Sequence, residues 1–588
     1  MMKRLQPYIR AVPSILLFNL IISAILFGTT TALKALFNLL IWSTGRVAVS
    51  TGDMAFLFTT PQGWLIILIG LLTLMVYVTL EINTMVLFSQ NLLHGVKRPM
   101  LTAIKEAIRS FHKMLKPRGL IMVLYIALIF PLIGVSLSIS ITSNLYIPHF
   151  IQSVIDDNIF FSTGYTLLMI VLFVVFVMHI FALHGLLSPE VADKEAMKLS
   201  RRMVRKNLGS FLLQNLLFMV VYFAIAALII ALTSFVPYIV IDSLGKMGYI
   251  SGELLNGFGI LFAGIILIEM GVTALLFAPL YIMKLTMLFE QYRTGEAKTY
   301  TLKSPRGIIW FAIVAALCIG VVALLSFTVG VSFDDLMPHD RSTGIIAHRA
   351  GGFEAPENTV AALKYSIEKN VVGGEIDIQR TKDGYYVVNH DADFERVAGD
   401  SRIPSEMTLE EVKQLKVEGK EPVATLEEML DASKGHLTLY VELKGETADR
   451  QMADDAVRII KEKGMEKEAV IISLKYDLID YIEKNYNEML TGYLCFASFG
   501  DTAMLNCDYL GIEEESATDT VIESIHKQGK KIMVWTPNAA DDQRTFLKTD
   551  ADAIITDNIT QAEKEREQLD KRNAYERTLD RIFDIVRR

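Results

Sequence analysis

Residues 374–391 read GEIDIQRTKDGYYVVNHD. Gly374-Glu375-Ile376-Asp377-Ile378 is β-prone, Asp383-Gly384 is a turn, and Tyr386-Val387-Val388 leads into Asn389-His390-Asp391. Two extended runs joined through Asp-Gly read as a strand with a hairpin return. Side chains alternate across a strand, so Glu375 and Asp377 share one face. Upstream, residues 344–352 read GIIAHRAGG, a short apolar strand that ends at His348-Arg349 and a Gly-rich turn. Ala355-Pro356-Glu357-Asn358-Thr359 then precedes a helical pattern from Val360 to Asn370, because Pro followed by Asn/Thr signals a helix start. Downstream strands read Leu439–Lys444, Ala469–Leu474, Leu490–Phe496, Asp508–Ile512, Lys531–Trp535 and Ala553–Thr556. Helical patterns such as Asp455–Gly464 and Thr520–Gly529 separate most of them. Without the hairpin arm that makes eight strands, which predicts an α/β (β/α)8 TIM barrel over residues 344–558.

The chemistry-bearing residues fall at strand ends, where such a barrel builds its site. His348, Glu375, Asp377, Glu442, Lys444 and Trp535 lie at or near those ends. Glu375 and Asp377 together with Glu442 form an all-oxygen set suited to a hard cation such as Ca2+ or Mg2+. Such a metal neutralises phosphoryl oxygens. His348 and His390 have near-neutral pKa values suited to base and acid roles. Arg349 offers a fork of donors matched to phosphate. Singly, each residue has a duller reading. A Glu-x-Asp pair is usually a solvated strand face, His-Asp a turn, Trp535 core, and Glu357, Asn358 and Thr359 parts of a helix cap. Their order along one barrel is what chance does not explain.

Residues 1–333 differ in kind. The chain has 588 residues, 52% of them hydrophobic. Its mean hydropathy of +0.37 is too high for an ordinary soluble protein. The apolar residues concentrate in seven runs, roughly 14–34, 64–86, 120–142, 165–186, 211–236, 258–281 and 308–330. Each is near the ~20 residues that a membrane crossing needs. The first run continues past Gly28 without a cleavage pattern and is read as a span rather than a signal peptide. Glu81, His179 and Glu269 are ionisable residues inside these runs, either functional or paired structurally.

Loop charges predict an orientation. Lys3, Arg4 and Arg10 lie in the amino-terminal tail. The second connection holds Lys97, Arg98, Lys105, Arg109, Lys113, Lys116 and Arg118. The fourth holds Lys194, Lys198, Arg201, Arg202, Arg205 and Lys206; the sixth holds Lys284, Arg293, Lys298, Lys303 and Arg306. The alternate connections are poor in Lys and Arg. Because basic residues stay cytoplasmic, the amino terminus is expected inside and, after seven spans, the barrel outside the cell membrane.

The net charge of −8 gives no sign of a nucleic-acid partner. Of the three cysteines, Cys318 sits in an apolar run, and Cys495 and Cys507 are too few and too close for a disulfide framework and read as free thiols. Residues 559–588 read as a charged helical tail with Leu579, Ile582, Phe583 and Val586 on one stripe, suited to packing on the barrel or lying along a membrane.

The runs HRAGGFEAPENT, EIDIQRTKDGYYVVNHD, VELK, VWTPN and IITDN together resemble the glycerophosphodiester phosphodiesterase family. The resemblance implies hydrolysis of a glycerophosphodiester to glycerol 3-phosphate and an alcohol. It implies that His348 and His390 are the acid–base pair, and we read His348 as base and His390 as leaving-group acid. It further implies that Glu375, Asp377 and Glu442 hold a divalent metal cation, that Arg349 and Lys444 contact phosphate, and that Trp535 walls the substrate pocket. The glycerol 2-hydroxyl would attack phosphorus, and water would open the cyclic phosphate. One departure stands out: the family has Gly directly after His-Arg, whereas this chain has Ala350. The amino-terminal half resembles the membrane domain fused to some family members.

Two function classes follow. One is an extracytoplasmic hydrolase whose partners are membrane lipids and a glycerophosphodiester or lipid-derived substrate. That substrate includes lysophospholipids, in a lysophospholipase D-type reaction, and glycerophosphate envelope polymers. The other is a membrane sensor or transporter whose barrel binds a phosphodiester without turning it over. A pure binder needs neither two histidines nor a metal, which favours the first.

Overall fold

A computed structural model describes residues 2–50, 55–132, 155, 158–296, 320, 343–496 and 498–572. Their contacts divide into two units, the first from Met1–Leu33 and Trp64–Leu336, the second from Lys34–Gly63 and Met337–Asp584.

The first unit is helical. Among the described residues five helices are long and apolar enough to cross a membrane: Ala11–Trp42, Pro61–Leu93, Ile159–Leu187, Leu208–Lys246 and Gly257–Thr294. The run at 120–142 begins as the helix Pro117–Leu132 and continues outside the described residues. The run at 308–330 lies almost wholly outside them, so the expected total of seven is not established. Two basic connections are amphipathic helices rather than loops. Pro99–Met114 buries Ala103, Ala107, Ser110 and Met114, and Ala196–Lys206 buries Ala196, Ser200, Met203 and Val204. A buried stripe without charges on one side and Lys/Arg on the other suit a membrane boundary. Of the ionisable residues in the spans, Glu269 accepts hydrogen bonds from Thr233 and from Ser234 Oγ at 3.0 Å. His179 turns back onto its own helix through the Val175 carbonyl at 2.9 Å. Both are structural pairings that keep a polar group satisfied in lipid.

The second unit is a closed parallel barrel. Its strands are Gly344–Ala347, Gly373–Arg380, Thr438–Leu443, Ala469–Ser473, Leu490–Cys495, Tyr509–Glu513, Lys531–Trp535 and Ala553–Thr556. Each pairs with the next, and the last closes on the first through Ile555↔Ile346. Tyr386–Val388 returns antiparallel on the second strand, as the sequence predicts. The second strand runs on to Arg380 because the hairpin extends its pairing beyond the barrel. A period of two sends Ile346, Tyr440, Val470, Ile472, Leu494, Tyr509, Met533, Ala553 and Ile555 into the barrel centre. Gly373 is required there, since a Cβ would meet the Tyr440 ring at 2.6 Å. The outward positions pack against the surrounding helices in a second, larger core. Among the described residues no α-helix joins the fifth and sixth strands; a short 3-10 turn, Thr502–Met504, lies between them.

Two other features go beyond the sequence reading. Ala48–Ser50, in the connection after the first apolar helix, pairs antiparallel with Ser498–Gly500, just past the fifth strand. Val49 is fully buried there, and Ala48 joins the barrel's outer core. The tail begins as the helix Ile559–Asp570, which buries Ile559, Ala562, Glu565 and Leu569; Leu579, Ile582, Phe583 and Val586 lie outside the described residues. Cys495 and Cys507 are buried free thiols, as expected, and Cys318 lies outside the described residues.

Candidate active site

The inward register that fills the barrel ends in a polar layer. Counting in twos from the central apolar residues reaches His348, Asp377, Glu442, Glu513, Trp535 and Asp557 at the carboxy-terminal ends of the strands. Asp377 and Glu442 are direct register partners on adjacent strands. The oxygens of Glu375, Asp377 and Glu442 lie within 4.8 Å of one another, and all three residues are buried. The Lys444 ammonium donates to Asp377 at 2.8 Å and to Glu442 at 3.2 Å. Asn358 donates to the other Asp377 oxygen at 2.9 Å.

These charges set one another's protonation. Burial raises the Glu375 carboxyl, helped by Asp377, to about 8. Burial also raises Glu442. Asp377 goes the other way: burial opposes ionisation, but Lys444 and His390 outweigh it and hold it below the carboxylate range. Were all three ionised, the one ammonium would leave uncompensated negative charge, which is expensive in a low-dielectric interior. Glu375 Oε1 is buried with no hydrogen-bond partner among the described residues. An all-oxygen donor set of this charge fits a divalent cation.

Both histidines are held through Nδ1, which turns Nε2 toward the site. His348 Nδ1 pairs with Asp557 Oδ1 at 2.7 Å, and its Nε2 stands 4.0 Å from Glu375. Asp557 is fixed in turn by the Asn538 amide at 2.7 Å. Burial lowers the affinity of His348 for a proton, but Asp557 and Glu375 outweigh it, so its pKa is raised. His390 Nδ1 pairs with Asp391 at 2.8 Å. There burial prevails over Asp391 and Asp377, and the pKa is lowered.

Arg349 follows His348 in a turn with φ of 49°, and Ala350 has φ of 66°. The alanine therefore adopts the left-handed conformation for which Gly is the usual choice. It is fully buried, and its carbonyl accepts from Ser366 Oγ at 2.5 Å. Gly352, at φ +58°, is irreplaceable because a Cβ would overlap the Asp557 carbonyl. The Arg349 backbone N–H donates to Glu375 at 2.9 Å. Its guanidinium contacts both Glu357 oxygens at 3.2 Å, while its Nε is buried with no acceptor among the described residues. A buried guanidinium with a donor to spare suits an incoming anion.

All eight residues singled out in the sequence, His348, His390, Glu375, Asp377, Glu442, Arg349, Lys444 and Trp535, fall on the carboxy-terminal face of the barrel. Thr359 does cap its helix, accepting from Ala362 at 3.1 Å. Asn358 and Glu357, which the sequence left as cap residues, instead contact Asp377 and Arg349. Asp557, Asn538, Asp391 and Arg396 were not singled out, although the motifs that carried the resemblance already contain the first three.

The glycerophosphoryl diester phosphodiesterase family matches residues 348–561, and the membrane domain of glycerophosphoryl diester phosphodiesterase matches residues 3–330. A glycerophosphodiester phosphodiesterase of Caldanaerobacter subterraneus is 30% identical over 234 residues, covering 37% of this chain and 94% of that protein. YhdW of Bacillus subtilis is 28% identical over 230 residues, covering 36% and 93%. The solved glycerophosphodiester phosphodiesterase of Parabacteroides distasonis is 22% identical with a TM-score of 0.36, covering 40% of this chain and 100% of that one. This chain belongs to the glycerophosphoryl diester phosphodiesterase family, with that family's membrane domain ahead of its barrel, and is a phosphoric diester hydrolase.

Proposed function

We propose that the barrel hydrolyses a glycerophosphodiester to glycerol 3-phosphate and an alcohol on the outer side of the cell membrane. The observation that carries this reading is the pair of carboxylate-held histidines beside a buried three-carboxylate cluster. Glu375, Asp377 and Glu442 would hold Ca2+ or Mg2+, which when bound supplies charge neutralisation to the phosphoryl group. Arg349 and Lys444 bind phosphate oxygens, and Trp535 walls the pocket. His348 Nε2 takes the proton of the glycerol 2-hydroxyl as its oxygen bonds to phosphorus. Asp557 stabilises the imidazolium that forms, the role of the aspartate in hydrolase triads. His390 gives its proton to the departing alkoxide as the ester bond breaks. In the second half His390 takes a proton from water, whose oxygen opens the cyclic phosphate, and His348 returns its proton to the 2-hydroxyl. Purified full-length protein should release glycerol 3-phosphate from glycerophosphodiesters. Binding without release in the presence of divalent cation would replace this reading with the sensor one.

The pH profile should carry the mark of Asp557. As the proposed base His348 acts unprotonated, and Asp557 raises its pKa. Asp557→Asn removes that carboxylate, so the His348 pKa falls and the limb of the kcat/KM profile that it governs moves to lower pH. A profile unmoved in Asp557→Asn would separate Asp557 from the titration.

Strand pairing supports the side of the membrane. Ala48–Ser50 and Ser498–Gly500 form one two-stranded sheet, and such a sheet cannot form across a bilayer. The helix Met2–Trp42 is unbroken, so the connection carrying Ala48 is one crossing from the amino terminus. With the basic tail inside, that connection is outside, and the barrel is with it. This parity needs no count of the later spans. Protease added to intact spheroplasts should release or degrade the region after Ser332 and spare the Lys97–Arg118 connection. A barrel cut only after lysis would move the substrate pool to the cytoplasm.

A further inference from the structure

We propose that Arg396 and Glu357 are positioning residues that tie the leaving-group acid His390 to the phosphate-binding Arg349, so that both are set by one salt-bridge chain. The proposal rests on the reading of His390 as acid and Arg349 as phosphate contact.

The chain is continuous in the structure. His390 Nδ1 pairs with Asp391 Oδ1 at 2.8 Å. The second Asp391 oxygen accepts from Arg396 Nε at 2.6 Å. The two terminal nitrogens of Arg396 donate to the two oxygens of Glu357 at 2.6 and 2.8 Å. The same Glu357 oxygens take the Arg349 guanidinium at 3.2 Å. Arg349 and Glu357 come from the segment after the first barrel strand, and Asp391 and Arg396 from the segment after the hairpin arm. Arg396 is therefore the strut between two loops that each carry part of the chemistry.

Stability alone does not account for such a strut. The Arg396 side chain is 50% exposed, and exposed ion pairs contribute little. Its geometry is the part that is specific. A guanidinium uses all its edges here, one on Asp391 and a fork on Glu357, an arrangement that the single ammonium of lysine cannot reproduce. Its backbone is anchored independently by Phe394, which is fully buried two residues earlier. Without Arg396, Asp391 loses the contact that holds it against the ring of His390, and Glu357 is left to Arg349 alone. The ring then samples orientations in which Nε2 no longer meets the leaving oxygen, and catalysis by the acid falls while the barrel stays intact.

The test uses leaving groups of different need. An alkoxide leaving group needs a proton, whereas p-nitrophenolate leaves without one. Arg396→Met, Arg396→Lys, Glu357→Gln and His390→Ala are assayed in the full-length protein with glycerophosphoethanol and with the p-nitrophenyl ester of glycerol phosphate. Thermal unfolding is followed to confirm that each variant folds. Arg396→Met should lose roughly 10–100-fold in kcat on the ethyl ester, part of what a general acid supplies. On the nitrophenyl ester it should lose less than about 3-fold, the same pattern as His390→Ala. Arg396→Lys should recover part of the loss, and Glu357→Gln should raise KM on both substrates by freeing Arg349. Equal losses on both esters, or none, in Arg396→Met and Arg396→Lys would overturn the proposal if His390→Ala keeps its leaving-group dependence. A His390→Ala variant without that dependence would instead remove His390 as the acid, and the positioning role with it.

Discussion

Replacing His348 or His390 with Ala lowers turnover by roughly 10²–10⁴-fold, the usual contribution of a general acid or base. Each ring is fixed at Nδ1 by a carboxylate, so its Nε2 alone is available for proton transfer. The double variant is expected to be little worse than either single one, because the proposed mechanism uses the two in one proton-transfer sequence. Both side chains are partly accessible, at 20% and 28%, so truncation leaves no large cavity and the fold survives. Steady-state rates on one glycerophosphodiester, with thermal unfolding as control, decide the matter. A variant that keeps more than about a tenth of the wild-type rate takes that histidine out of the mechanism.

Removing the divalent cation, or one of its carboxylates, is expected to abolish turnover almost completely. Glu375, Asp377 and Glu442 converge within 4.8 Å, and Lys444 pairs with two of them at 2.8 and 3.2 Å. Their mutual repulsion then opposes the native state, so binding shows in stability as well as in rate. A cation present at about 100 times its Kd should raise the unfolding free energy by about 2.7 kcal/mol. Chelator should reverse both effects, and Glu375→Gln should lose both while remaining folded. Full activity in excess chelator, or in Glu375→Ala, would refute a metal role for this cluster. A melting temperature indifferent to Ca2+ and Mg2+ would exclude those two ions.

The reach of the sequence is clearest in the barrel. Apolar periodicity, a local property, located all eight strands within a few residues, because a strand buried on both sides must carry β-prone apolar residues whatever its neighbours. The alternation in Glu375-Ile376-Asp377 was enough to put both carboxylates on one face. Apolar length did the same for the membrane helices, and five of the seven runs are helices long enough to cross a membrane among the described residues. Asn358 shows where this stops. A residue before a helix is a cap by default, and only the left-handed turn at φ 57° swings its amide onto Asp377.

The sequence by itself determined the two-part architecture and the barrel strands, and it singled out the three carboxylates and both histidines, because each rests on residue type and short-range spacing. The tertiary structure alone decided what those groups lean on. Asp557 is 209 residues from His348 and reaches it only because the eighth strand closes beside the first. Arg396 joins Glu357 across 39 residues only because two loops meet on the same barrel face. Ala48–Ser50 lies more than four hundred residues from its partner strand, and no local pattern in either segment announces the pairing. Contacts of this kind follow from chain closure and loop conformation. Those are set by the packing of the whole domain, so they leave no period, cap or motif in the sequence to read.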